Sequence, residues 1–145
     1  MSCPCFSPTH PRSRDSGSKY TLPLGDSFAG LCLADPSHPA EPDESRLALC
    51  NLGYARGECP HVPAGSADAV RFALSSDDGQ SLQIYYVIER GHHPVEHGLL
   101  IYSTAARTIA PDAASPLPEQ VAAYAASYLH RIESRRKELL PAQVK

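Results

Sequence analysis

Proline sets the strongest limit on this chain. Nine of its 14 prolines fall within residues 1–66: Pro4, Pro8, Pro11, Pro23, Pro36, Pro39, Pro42, Pro60 and Pro63. Each fixes φ and removes a backbone donor, so long helices and central strands are excluded from most of that half. The one useful gap runs from Asp43 to Cys59. Glu44 to Cys50 suits one or two helical turns there, with Asp43 as N-cap and Gly53 as the stop.

The second half is patterned. Val70, Phe72 and Leu74 alternate with Arg71, Ala73 and Ser75, which predicts a half-buried strand. Asp77-Asp78-Gly79 is a turn signal. Leu82, Ile84, Tyr86 and Ile88 define a second strand, Gly91–Gly98 reads as a polar loop, and Leu99–Thr104 reads as a third strand. Beyond them, Ser115 and Pro116 suit a helix start and Pro141 a stop. Val121, Tyr124, Ala125, Tyr128, Leu129 and Ile132 recur at three- and four-residue steps and give that helix one apolar stripe. Arg131, Arg135, Arg136 and Lys137 complement its dipole near the C-terminal end. The expected fold is α+β. An irregular proline-rich half (1–66), stapled by metal, precedes a three-stranded antiparallel meander packed by one long helix (67–145), the two joined as one unit.

The five cysteines, Cys3, Cys5, Cys32, Cys50 and Cys59, all lie in the proline-rich half. An odd number fits a disulfide framework poorly, and cysteine clusters in reducing compartments more often bind metal or do redox chemistry. Cys3-Pro4-Cys5 holds two thiols close together. Cys50 and Cys59 bracket a loop in which Gly53 and Gly57 allow tight turning. Cys32 has no near partner in sequence and is the expected spare. The physical case is entropic. Ordering each residue costs roughly 1–2 kcal/mol, periodic apolar residues are scarce here, and a structural zinc supplies an apparent ~10–16 kcal/mol in small peptides. Four thiolates serve either a tetrahedral Zn²⁺ or a [4Fe-4S] cluster. Proline follows Cys3 and Cys59, as it often follows ligands in iron–sulfur loops. His61 is an alternative ligand.

The run Cys50-Asn51-Leu52-Gly53-Tyr54-Ala55-Arg56-Gly57-Glu58-Cys59, preceded by an early C-x-C, resembles a segment of small uncharacterised bacterial Cys-rich proteins. The resemblance reaches residue 65 at most and implies metal binding without any activity.

Other chemistry is thinly represented. His92, His93, Glu96 and His97 share one segment and suggest a small metal-dependent hydrolase, although Pro94 opposes a helical arrangement of the ligands. Cys3-Pro4-Cys5 as a dithiol redox pair lacks the helix N-terminus that usually activates one. There is no G-x-S-x-G elbow and no phosphate-binding glycine loop. Net charge is −3 and mixed along the chain, which argues against a nucleic-acid partner. No run approaches the ~20 apolar residues of a membrane helix, and Met1–Tyr20 lacks the apolar core of a secretory signal. The expectation is a small soluble cytoplasmic protein that binds zinc or an iron–sulfur cluster through Cys3, Cys5, Cys32, Cys50 and Cys59. An accessory role with a protein partner, or electron transfer and redox sensing by a cluster, would follow.

Overall fold

Phe6 and Phe28 give the proline-rich half a core of its own. In the computed structural model, which describes residues 1–12, 22–54, 57–110 and 117–140, both rings are buried with Leu24, Leu47 and Cys50, closed from above by Ala123. They sit on strands β1 (Phe6–Pro11) and β2 (Phe28–Cys32), which pair antiparallel as a two-stranded sheet. Proline is tolerated there because β1 has one partner in that sheet and its ladder slips between Pro8 and His10, at a bulge. Gly30 stands opposite Pro8, and a Cβ at Gly30 would run into Ser7 O and the Phe6 ring. Helix α1 (Glu44–Leu52) follows. The Asp43 carboxylate caps it by accepting from Arg46 N at 2.9 Å, and Gly53, at φ 75°, ends it.

The larger sheet is a four-stranded antiparallel meander: β3 (Ala69–Asp77), β4 (Ser81–Arg90), β5 (His93–Ser103) and β6 (Thr108–Ala110). Helix α2 (Leu117–Leu139) covers one face. The Leu82, Ile84, Leu100 and Tyr102 side chains of that face pack against Val121 and Ala125. On the opposite face Tyr85, Val95, Leu99 and Ile101 remain exposed.

This architecture corrects the fold expected from the sequence. Among the described residues there are two sheets and two helices, not a three-stranded meander packed by one helix, and the first half has a sheet and a helix of its own in place of an irregular course. Burial of Phe6, Leu24, Phe28 and Leu47 supplies order that proline counting hides. Strand β6, only three residues long, is too short to show an alternation. The loop expected at Gly91–Gly98 shrinks to Gly91 and His92. Both have positive φ (56° and 64°), the requirement of a tight two-residue hairpin turn. Strand β5 therefore starts at His93 and takes in Pro94, where the ladder slips between Ile88 and Glu89. Strand β6 pairs only with Ile101–Ser103, so Pro94 lies on an open edge where its missing donor costs little.

The helix α2 differs in one further respect. A second stripe, Gln120, Ala123 and Ser127, is buried beside the expected one. The expected stripe faces the large sheet, and the second faces the small one. The two stripes clamp both sheets to one helix. Ser115, Pro116 and Pro141, read as helix boundaries, lie outside the described residues. No described helix is long and apolar enough to cross a membrane.

Candidate metal centre

The five cysteines sit on segments that backbone hydrogen bonds have already tied together. The chain begins as an extension of the large sheet, Ser2 exchanging bonds with Val70 at 2.7 and 2.8 Å. That places Cys3 beside α1, where its N–H donates to Cys50 O at 2.9 Å. The chain turns at Pro4, with Phe6 N–H donating to Cys3 O at 3.1 Å. Cys5 then faces the end of β2, its carbonyl accepting from Leu33 N at 2.8 Å. Cys32 lies opposite Phe6 in the ladder, one residue from Cys5 in register. It is braced from the other side by Ala40, through bonds of 2.7 and 3.3 Å. Cys59 arrives on the loop after α1, in a turn closed by Val62 N–H to Cys59 O at 3.4 Å.

Two buried amides hold this frame. Gln120 on α2 is fully buried. Its Nε2 donates to Cys3 O (2.8 Å) and Phe6 O (2.7 Å), and its Oε1 accepts from Ser2 Oγ at 2.5 Å. Asn51, the residue after Cys50, grips β2 much as a neighbouring strand would. Its Oδ1 accepts from Phe28 N, and its Nδ2 donates to Phe28 O and Leu47 O, each at 3.0 Å. Every polar atom of each side chain is thereby occupied, which is what allows an amide to be buried at all. Neither residue is evident from the sequence. The one trace of Gln120 is its place in a row with Ala123 and Ser127 at successive steps of three and four residues.

With the segments so placed, Cys3, Cys5, Cys32, Cys50 and Cys59 all line one small cavity of about 20 Å³, together with His61, Ala34, Leu49 and Val62. Cys32, the expected spare, is part of the group because strand pairing brings together what sequence separation keeps apart. The space is that of roughly one water-sized sphere, and so of one ion. The donors share it without being drawn into a closed shell. Among the described residues, no three Cys, His, Asp or Glu side chains have the convergence of an occupied metal site.

Crowding governs the thiols. The Cys3 thiol donates a hydrogen bond to the Cys5 sulfur, which holds Cys3 protonated well above the usual thiol range and pulls Cys5 below it. Burial, then the neighbouring Cys3, Cys32 and Cys59, push Cys50 up to about 12. A thiolate at Cys50 is disfavoured first by lost solvation and then by the neighbouring cysteines. A cation among them reverses the second effect and displaces protons from sulfur. The donor chemistry, five sulfurs and an imidazole, is that of zinc or iron–sulfur sites.

A larger chamber of about 420 Å³ adjoins the cavity and shares Cys32, Ala34, Cys50, Cys59 and His61 with it. Its remaining lining includes Asp35, His38, Glu41 and Arg46. Asp35 and His38 pair with each other at 3.0 Å, and Arg46 Nε donates to Asp43 at 3.2 Å.

The histidines at the β4–β5 hairpin do not converge. The bulge in β5 separates His93, which stands opposite Arg90, from His97, which stands opposite Val87 on the other face, and Glu96 accepts from Tyr86 Oη at 3.3 Å. His92 stacks on Tyr54, ring centroids 4.3 Å apart, and His97 lies parallel to Tyr85 at 6.3 Å. The arrangement has no metal-binding set of the kind a hydrolase needs among the described residues. No protein-family model, no curated protein and no solved structure matches the chain.

Proposed function

We propose that this protein binds a metal through the cysteine cluster, with His61 as an additional donor, and that it acts as a small metal-binding accessory protein. One observation carries the reading. Four separate segments, the N-terminal turn, the end of β2, helix α1 and the loop after it, each bring a thiol to the same cavity. Isolated buried cysteines act as small hydrophobes and have no reason to gather.

A single zinc ion is the reading favoured by the space. About 20 Å³ admits one ion without moving a segment, and zinc accepts any four of these donors because it has no geometric demand from d-electrons. When bound, the ion supplies the positive charge that five crowded sulfurs lack. The chain's own part is to hold the donors in place: Gln120 fixes the Cys3 turn, Asn51 fixes α1 on β2, and Ala40 braces Cys32. A [4Fe-4S] cluster, with electron transfer or redox sensing as its role, is the second reading. It draws on the five sulfurs that line the cavity and on the prolines after Cys3 and Cys59.

Purification without oxygen, followed by elemental analysis and an absorption spectrum, tests both. Zinc near one ion per chain in a colourless protein is the expected result. A brown protein absorbing near ~400 nm with bound iron supports the cluster instead. Neither metal, in freshly prepared protein that also fails to take up added zinc, refutes metal binding.

A further inference from the structure

We infer that the 420 Å³ chamber is an exchange port, through which the metal of this site passes to and from a small chelating ligand. The inference rests on the single-ion reading above and concerns what kind of site it is: an exchangeable one, not a sealed structural one.

The argument begins with the number of donors. Five thiols and one imidazole line a cavity that holds one ion, and a tetrahedral ion uses four. Two donors are therefore in surplus. The six are also unequal in position. Cys3 and Cys5 line the small cavity alone, whereas Cys32, Cys50, Cys59 and His61 line the chamber as well. A shell that includes both inner thiols thus leaves two of the four chamber-facing donors unbound. Those two stay beside the ion and face the space from which a new ligand would come. Zinc exchanges ligands readily through an expanded shell of five. A neighbouring free donor and an open approach are the two conditions for that path, and both are present.

The chamber also indicates what enters it. Its volume lies within the range of small-molecule sites, about 300–1,000 Å³. Arg46 is the one Lys or Arg that lines it among the described residues, and its Nε donates to Asp43. Asp35 and Glu41 oppose a ligand of high negative charge. The chemistry fits a compact chelator that has one anionic group for Arg46 and one nitrogen or sulfur donor for the metal.

The test is the rate at which zinc-loaded full-length protein gives up its ion to the chromophoric chelator pyridylazoresorcinol, followed by absorbance. Transfer by way of the port makes the rate rise in proportion to chelator concentration. His38→Trp narrows the chamber at an exposed position and should slow transfer about tenfold while leaving zinc affinity, measured at equilibrium by competition, unchanged; separation of rate from affinity is the signature of a blocked path. A rate independent of chelator concentration in the unaltered protein overturns the inference, since the ion then leaves by spontaneous opening. So does equal transfer in a correctly folded His38→Trp variant. Failure of the protein to load zinc at all refutes instead the metal reading on which the port depends.

Discussion

Replacing Gln120 by leucine tests whether the frame of the site is what the structure describes. Leucine keeps most of the volume and removes three hydrogen bonds. The losses are unequal. Ser2 Oγ can turn to Val70 O, 3.3 Å away, and Cys3 O retains the Phe6 N–H. Phe6 O loses a 2.7 Å charge-neutral bond in a place water does not reach. One carbonyl left wanting and one half-satisfied correspond to about 2–4 kcal/mol, within the usual cost of unmet buried polar groups. At about 3–4 °C per kcal/mol for a chain of this size, the melting temperature should fall by roughly 10 °C. Gln120→Glu keeps the shape but presents acceptors to two carbonyls. Its carboxyl should have a raised pKa, so the stability of this variant is present at low pH and is lost as pH rises through that value. Thermal melts by circular dichroism, in metal-free protein across pH 4 to 8, measure both. A Gln120→Leu variant melting within about 2 °C of the parent refutes the reasoning, because an error of that size leaves no room for the two carbonyl bonds.

Other perturbations separate the remaining elements. Gly30→Ala places a methyl against Ser7 O and the Phe6 ring, where backbone cannot yield, and should cost about 1–3 kcal/mol by urea unfolding. Gly79→Ala, with open space around it and only a positive φ to oppose it, should cost less. The Cys50 thiol, pushed up to about 12 by burial first, is neutral in the folded metal-free protein at a pH where an unfolded thiol ionises. A raised folded value means stability is present below ~8.5 and is lost as pH climbs toward 12. Metal-free protein should therefore melt progressively lower over that interval, and Cys50→Ala should flatten the dependence.

How much of this was legible in the sequence varies by element. Helix α1 announces itself through Asp43 and Gly53, the strand at Val70 through alternation, because one buried face imposes a period of two, and the strand at Leu82 through apolar residues at every second position with Tyr85 and Val87 on its other face. The apolar stripe through Val121 and Ala125 is equally plain. Strand β1 is hidden because Pro8 and Pro11 deny it the look of a strand, and only a bulge on an edge, which no local pattern reports, makes room for them. The stripe through Gln120 and Ser127 is hidden because its residues are polar, and their burial depends on backbone groups more than 100 residues away, the Phe6 carbonyl and the Asp26 N–H. The cysteines could be counted but not arranged. Cys32 looked solitary because its neighbours are made by the pairing of β2 with β1, and the chamber beside it required the whole fold to be closed.

The clamp of helix α2 on both sheets has a consequence for any attempt to borrow this thiol cluster. Zinc knuckles are portable because ligands and fold share one short stretch of chain. Here the thiols occupy residues 3–59, yet the amide steadying the first of them is Gln120 and the strand bracing the N-terminus is β3. A peptide cut after the last cysteine would retain every thiol and lose the scaffold that aims them. Grafting the centre into another protein would mean transplanting nearly the entire chain.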